Sequence, residues 1–266
     1  MMAEGISLRA ITRLTGTSRT TLIKLLEDAG EAFSEYQDRI LVNLKCKRVQ
    51  ADEAWAFCYA KQKNVPLAKA APEGAGDIWT WIGLDAESKL AVSWYVGARD
   101  SEAAMIFMDD LAKRLANRVQ LTSDGHKAYL EAVEGAFGSD IDYAMVVKVY
   151  GPAPEGQRRY SPAECTGAIK HRIEGNSDPK HVSTSYSERQ NLNIRMGNRR
   201  MTRLTNAFSK KAANHAHMMA IYFMHYNFVR IHQTLKVTPA MAAGVTSKLW
   251  EMADLVKVLE NWVQTQ

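Results

Sequence analysis

The order of strand-like and helix-like segments is the feature that most constrains the fold of this chain. Apolar and aromatic residues alternate with polar ones in short runs that predict strands at 48–61, 77–84, 89–96, 119–122 and 142–149. Helices are predicted at 101–117, with Ser101 as its cap, and at 126–133. Three consecutive strands can form an antiparallel meander, whereas the later strands must return through helices. The order therefore predicts a mixed α/β sheet.

The first 30 residues predict two helices joined by a short turn. Ser7 can cap a helix over 8–14, Gly16 breaks it, and Thr17 or Ser18 can cap a second helix that Gly30 ends. This is the helix-turn-helix pattern, in which the start of the second helix reaches base edges in DNA. The residues at that position are Arg19, Thr20, Thr21 and Lys24. A plain helical hairpin explains the same pattern.

The remaining segments are predicted to be linkers, loops and further helices. Residues 31–47 indicate a linker, 62–76 a surface loop, and 151–182, rich in proline and glycine, a long irregular segment. Residues 185–226 are predicted to be mostly helical, and two further helices are expected within 239–262.

Two aspartates lie in or beside predicted strands, where a carboxylate is costly unless it is paired or holds a cation. Asp52 falls inside the first strand, on a face of small residues. Glu53 points to the opposite face and is not expected to share its site without a bulge. Asp124 follows the strand at 119–122, a position suited to ligands in α/β sheets. Simpler explanations are an exposed edge acid for Asp52 and an Asp-Gly turn for Asp124.

A third acid, Glu188, begins a basic helix. Ser185-x-x-Glu188 fits a capping box, and Asn191 and Arg195 lie on the same helix face as Glu188. Basic residues continue along and beyond this helix almost without acids: Arg189, Arg195, Arg199, Arg200, Arg203, Lys210 and Lys211. A solvated helix face is the ordinary explanation, but like charges at this density repel unless an anion offsets them. Phosphate backbone is the anion that the pattern favours.

Composition bounds the alternatives. The net charge of +5 and pI near 9.0 agree with a polyanionic partner without requiring one. Three scattered cysteines without a Cys-x-x-Cys pair favour neither a zinc site nor disulfides, so we expect a reducing cytoplasm. No apolar run approaches about 18 residues, and no membrane association is expected.

Several stretches, in this order, resemble DDE-type transposases of bacterial insertion sequences, most closely the InsB-like family of insertion sequence one. They are the helix-turn-helix at 5–26, Ala51-Asp-Glu-Ala-Trp55, Thr122-Ser-Asp-Gly125, 187–195 with 199–208, and 226–240. The resemblance implies an α/β, RNase H-like (retroviral-integrase-like) mixed-sheet catalytic core with an N-terminal helix-turn-helix and C-terminal helices. On this basis we divide the chain into a DNA-binding segment with linker at 1–44, the catalytic domain at 45–235, and a helical tail at 236–266.

The function that the resemblance implies is DNA transposition. Its catalytic triad falls on Asp52, Asp124 and Glu188, which would hold two Mg²⁺ (or Mn²⁺) ions, with Asp52 bridging them. One ion would activate water or a 3′-hydroxyl, and the other would stabilise the leaving oxygen. The expected partners are double-stranded transposon ends and target DNA, bound by a homodimer or higher oligomer in the bacterial cytoplasm, near the nucleoid. The arginines after Glu188 would grip the DNA backbone.

Two departures from the family pattern leave alternatives open. The chain lacks a cysteine zinc ribbon before the helix-turn-helix. The separation between Asp124 and Glu188 (64 positions, from 124 to 188) is long, which leaves Glu174 as a rival third acid. Glu188 is preferred because the basic helix follows it, whereas Gly175 interrupts a helix starting at Glu174. A structure-selective nuclease on the same fold and a non-catalytic helix-turn-helix repressor are the competing functions.

Overall fold

A six-stranded mixed sheet forms the centre of the computed structural model, which describes residues 1–152, 163–202 and 206–266. The strands are β1 (Arg48–Cys58), β2 (Gly76–Asp85), β3 (Ala91–Gly97), β4 (Gln120–Asp124), β5 (Asp142–Tyr150) and β6 (Cys165–Glu174), in the spatial order β3-β2-β1-β4-β5-β6. The first three strands pair antiparallel, β4 pairs parallel with β1 and β5, and β6 pairs antiparallel with β5. The predicted mixed α/β sheet, which begins with an antiparallel meander, is confirmed.

Helices pack against both faces of the sheet. They are α1 (Leu8–Thr15), α2 (Arg19–Ile40), α3 (Ser101–Arg114), α4 (Ala128–Phe137), α5 (Ser185–Gly197), α6 (Ala212–Phe228), α7 (Pro239–Ala242) and α8 (Met252–Thr265). Two short 3₁₀ helices cover Gln62–Leu67 and Arg199–Met201.

Large side chains pack on each face of the sheet. On one face, the Trp81 ring of β2 contacts Phe107 of α3 and Tyr129 of α4, with ring centroids 5.9 Å and 5.5 Å apart. On the other face, the small residues of β1 leave room for α5 and α6, and Ile194 and Phe223 are buried in the same cluster as Ala54 and Ala56 of β1. This packing holds α5, and therefore Glu188, against the strand that carries Asp52.

Helix α2 does not end at Gly30, as the sequence predicted, but continues to Ile40. Gly30 lies instead where α2 crosses α6. A Cβ at this position would lie 2.3 Å from Cβ of His217. The glycine therefore permits close helix packing rather than ending the helix. Gly16, with φ of 73°, does end α1, and Ser18 caps α2.

Two other local predictions are wrong. The segment at 151–182 is not wholly irregular, because β6 lies within it. All ten residues of β6 are exposed, so this edge strand lacks the apolar alternation by which strands are predicted. Helix α3 begins at Ser101, but its cap is Asp100, whose carboxylate accepts a hydrogen bond from the Ala103 amide at 2.9 Å. No helix within the described residues is long and apolar enough to cross a bilayer.

Candidate functional site

Three carboxylates meet where β4 ends between β1 and β5. β1 and β4 pair from Arg48 opposite Gln120 to Ala51 opposite Ser123, so Asp52 and Asp124 are the next residues on two adjacent strands. One carboxylate oxygen from each of Asp52, Glu53 and Asp124 lies within 4.8 Å of the other two. β4 ends at Asp124, so no further β4 residue lies between β1 and β5. Side chains from the two faces of the sheet can therefore lie close together at this position.

Glu53 is a member of this group, contrary to the prediction that it could join Asp52 only through a bulge. The β1–β2 register runs without interruption through Glu53 opposite Trp81, so no bulge is present there. The prediction rested only on the alternation of side chains in a regular strand, whereas the pairing of β1 with β4 ends at Ala51, one residue before Asp52. A glutamate beside Asp52 in an apolar strand is the sequence signal that could have identified it.

Glu188 of α5 lines the same cavity, of about 650 Å³, as Asp52 and Asp124. It is not one of the three acids within 4.8 Å of one another. Its Oε1 accepts a hydrogen bond from Oγ1 of Thr184 at 2.6 Å, and its Oε2 lies 2.6 Å from Nζ of Lys148. The predicted capping box is wrong, because Thr184 occupies the cap position and its hydroxyl binds the glutamate side chain.

The rival acid Glu174 lies elsewhere. It is the last residue of β6 and pairs with Tyr143, near the start of β5. Asp124 lies beside Val146 of β5, and the β6 partner of Val146 is Lys170, four positions before Glu174. Glu174 accepts a hydrogen bond from the Gly175 amide at 3.1 Å and does not line the cavity that Asp52 and Asp124 share.

The acids of the cluster disfavour one another's charge. Burial raises the pKa of Asp52 to about 7, and the neighbouring charges of Glu53 and Asp124 add to the effect. Burial and the charge of Asp124 likewise raise the pKa of Glu53 to about 7. Without a cation, the cluster therefore keeps part of its protons near neutral pH.

Polar and cationic side chains surround the acids. Arg99 lies 3.4 Å from Oε2 of Glu53 and 3.5 Å from Oδ2 of Asp124, with its guanidinium 4.9 Å from the centroid of the Trp79 ring. Asn191 donates a hydrogen bond through Nδ2 to Asp52 at 2.8 Å. Its buried Oδ1 has no hydrogen-bond partner among the residues that the structure describes. Carboxylate and amide oxygens are ligands that Mg²⁺ and Mn²⁺ prefer, so the residues present fit such an ion.

A second cavity, of about 760 Å³, lies between the first two helices and the chain that follows α5. It brings together basic residues that are far apart in sequence, namely Arg9, Arg13, Arg19, Arg199, Arg200, Lys210 and Lys211. Arg200 also donates a hydrogen bond to Oγ of Ser209 at 3.0 Å, and burial lowers its pKa. Two of the predicted DNA-binding groups, at the start of α2 and after α5, thus form one surface. We call it the basic cavity.

The other predicted DNA-binding residues have separate positions. The hydroxyls of Thr20 and Thr21 lie 2.9 Å and 2.8 Å from Oγ of Ser18, in the first turn of α2. Lys24 forms an ion pair with Asp28 at 2.7 Å. On α5, Arg189 is exposed, and Arg195 donates a hydrogen bond to the Met201 carbonyl at 3.4 Å. Arg203 lies outside the described residues.

A scan against protein-family models finds none that matches this chain, and a search of curated proteins finds no match either. We call the cavity that Asp52, Asp124 and Glu188 line the acidic cavity. The geometry of the acidic and basic cavities is therefore the basis for assigning a function.

Proposed function

We propose that this protein is a DDE-type DNA transposase that cuts and joins transposon ends by phosphoryl transfer. The observation that carries the proposal is that Asp52, Asp124 and Glu188, from β1, β4 and α5, line one cavity. Carboxylates from separate elements that line one cavity can hold divalent cations, and phosphoryl transfer is a chemistry that such sites perform.

The architecture supports an RNase H-like core. The antiparallel β1–β3 meander, followed by β4 and β5 in parallel with helices between them, agrees with the order that the resemblance implies. The two capped helices α1 and α2, joined through Gly16, support a helix-turn-helix at the N-terminus. The basic cavity beside them supports contacts between its basic side chains and the phosphate backbone of double-stranded transposon ends and target DNA. Synapsis of two ends requires at least a dimer.

The residues around the acidic cavity would have separate roles in metal binding and substrate binding. Asp52, Asp124 and Glu188 would hold Mg²⁺ or Mn²⁺, and the bound ion would supply Lewis-acid stabilisation and a more acidic attacking water. Asn191 would keep the Asp52 carboxylate in one orientation. Lys148, beside Glu188, offers a positive charge to a phosphate that enters the cavity. Glu53 would add a further carboxylate to the side of the cluster nearest Arg99.

The proposal is tested by incubating the purified protein with a donor DNA end and Mg²⁺ and measuring strand joining. We expect Asp52→Asn, Asp124→Asn and Glu188→Gln each to abolish joining, whereas the matched control Glu174→Gln keeps wild-type activity. Wild-type joining by any of the first three would remove that residue from the proposed site. Cleavage without joining would indicate a structure-selective nuclease, and DNA binding without either would indicate a repressor.

A further inference from the structure

A row of aromatic rings begins on the part of β1 that extends beyond its pairing with β4, and it has no part in the proposed chemistry. The ring centroids of Trp55 and Phe57 lie 5.9 Å apart, and those of Phe57 and Phe208 lie 4.8 Å apart. We call Trp55, Phe57 and Phe208 the aromatic row. All three are partly exposed, and none belongs to the buried clusters of the core.

Two lysines lie over these rings. Nζ of Lys61 is 5.5 Å from the Trp55 ring centroid and 6.0 Å from that of Phe57. Nζ of Lys210 is 3.8 Å from the centroid of Phe208. Neither lysine forms an ion pair with an acid among residues 1–152, 163–202 and 206–266. The row therefore combines flat apolar faces with positive charges that no acid of the described chain neutralises.

The aromatic row lies between the two cavities. Glu53, Trp55 and Phe57 share one face of β1, and the distance from Glu53 to Phe57 along the strand is about 13 Å, at about 3.3 Å per residue. At the acidic end, Trp55 pairs with Trp79, over which Arg99 of the acidic cavity stacks. At the other end, the Phe208 side chain lines the basic cavity. The row thus connects the two cavities.

We propose that the aromatic row binds single-stranded DNA, with bases stacked on its rings and phosphates near Lys61 and Lys210. Stacking on aromatic side chains along a positively charged path is how proteins hold single strands without reading their sequence. The strand would run from the basic cavity towards the acidic one. The choice of DNA and this direction rest on the proposed function, whereas the stacking does not.

The test measures binding of a fluorescent single-stranded oligonucleotide to the full chain by anisotropy, in EDTA so that cleavage cannot occur. Phe208→Leu is expected to weaken binding about tenfold, because it keeps an apolar side chain and removes the ring. Phe208→Tyr, which keeps the ring, should bind within about twofold of wild type. Lys61→Ala should weaken binding more than Lys63→Ala, a matched loss of charge at an exposed residue whose side chain contacts none of these rings.

Duplex DNA of the same length serves as the second probe. Trp55→Leu removes a ring of the row that lines neither cavity. It should weaken single-strand binding and leave duplex affinity unchanged, since paired bases cannot stack on the row. Equal losses of single-strand and duplex affinity in Trp55→Leu, or wild-type binding of the single strand by Phe208→Leu, would overturn the inference. Asp52→Asn separates this inference from the proposed function, because it should lose joining and keep single-strand binding. If the wild-type protein joins no strands while Phe208→Leu still loses the single strand, the transposase proposal fails and the stacking surface stands.

Discussion

Asn191 of α5 donates a hydrogen bond through Nδ2 to Oδ2 of Asp52 on β1 at 2.8 Å. The other oxygen of the same carboxylate, Oδ1, accepts a hydrogen bond from the backbone amide of Glu53 at 2.8 Å. Both oxygens of Asp52 are therefore held in place by groups of the protein. The same contact ties the helix that carries Glu188 to the strand that carries Asp52.

Replacing Asn191 tests whether this contact positions the carboxylate. We expect Asn191→Ala to weaken Mg²⁺ binding and joining about 10- to 100-fold, since groups that orient metal ligands have effects of this size. The measurements are Mg²⁺ titration calorimetry and the joining assay. The control is Asn193→Ala on the same helix, because Asn193 donates to Gln190 at 3.2 Å and not to Asp52. Unchanged Mg²⁺ affinity in Asn191→Ala would contradict a positioning role.

Arg99 offsets part of the negative charge of the cluster through its contacts with Glu53 and Asp124. We therefore expect Arg99→Gln to lower the stability of the metal-free protein by about 1 kcal/mol, a modest effect because the arginine is partly exposed. Mg²⁺ should then raise the melting temperature more in the variant than in wild type, since the cation meets a more negative site.

Thermal melts with EDTA and with Mg²⁺ measure both effects. Lys113→Gln, a loss of charge on the solvent side of α3, is the control and should leave the Mg²⁺-dependent shift unchanged. A smaller shift in Arg99→Gln than in wild type would mean that the arginine assists the cation rather than substituting for its charge.

The sequence predicted helices and strands more reliably than it predicted which of them lie side by side. Asp52 and Asp124 could be singled out because apolar runs surround or precede them. Their proximity depends on β4 pairing with β1 rather than with β3, which local pattern does not determine. Arg99 and Lys148 carry no local signal, since each is a single basic residue whose role comes from the chain it faces. The basic cavity likewise exists only because α1 and α2 fold against 199–200 and 206–214.

Gly30 illustrates how one residue type supports two structural predictions. A glycine at the end of an apolar helical pattern indicates a helix end, but the same residue permits a second helix to approach closely. Only the position of α6 distinguishes the two cases. A Cβ at Gly30 would lie 2.3 Å from Cβ and 2.6 Å from Cα of His217, and backbone of a packed helix cannot move away cheaply.

We expect Gly30→Ala to lower the free energy of unfolding by about 1–3 kcal/mol, the usual cost of overpacking. Gly135→Ala in α4 is the matched control, because nothing lies within 4 Å of the added Cβ. It should raise stability by about 0.5–1 kcal/mol through helix propensity. Urea unfolding measures both, and a stabilising effect of Gly30→Ala would show that α2 and α6 do not pack as described.

The raised pKa values of Asp52 and Glu53 predict how the metal-free protein responds to pH. The pKa of Asp52 is about 7 in the folded state and 3.8 when unperturbed, and that of Glu53 is about 7 instead of 4.5. Between these values the folded state holds protons that the unfolded state has lost. These two groups therefore make the free energy of unfolding fall as pH rises from about 4 to about 7, and remain low above it.

Asp52→Asn removes the larger part of this penalty, since the amide has no charge to bury. In EDTA, the variant should be more stable than wild type at pH 8 by on the order of 2–4 kcal/mol. The difference should be small at pH 4, where Asp52 is protonated in the folded state and partly protonated in the unfolded state, whose pKa is 3.8. Urea unfolding at pH 4, 6 and 8 measures this, with Asp109→Asn, an exposed aspartate of α3, as the control. A variant less stable than wild type at pH 8 would mean that Asp52 is already ionised and neutralised without metal. Added Mg²⁺ should narrow the gap, because a cation at the cluster stabilises wild type by offsetting the charge that the variant lacks.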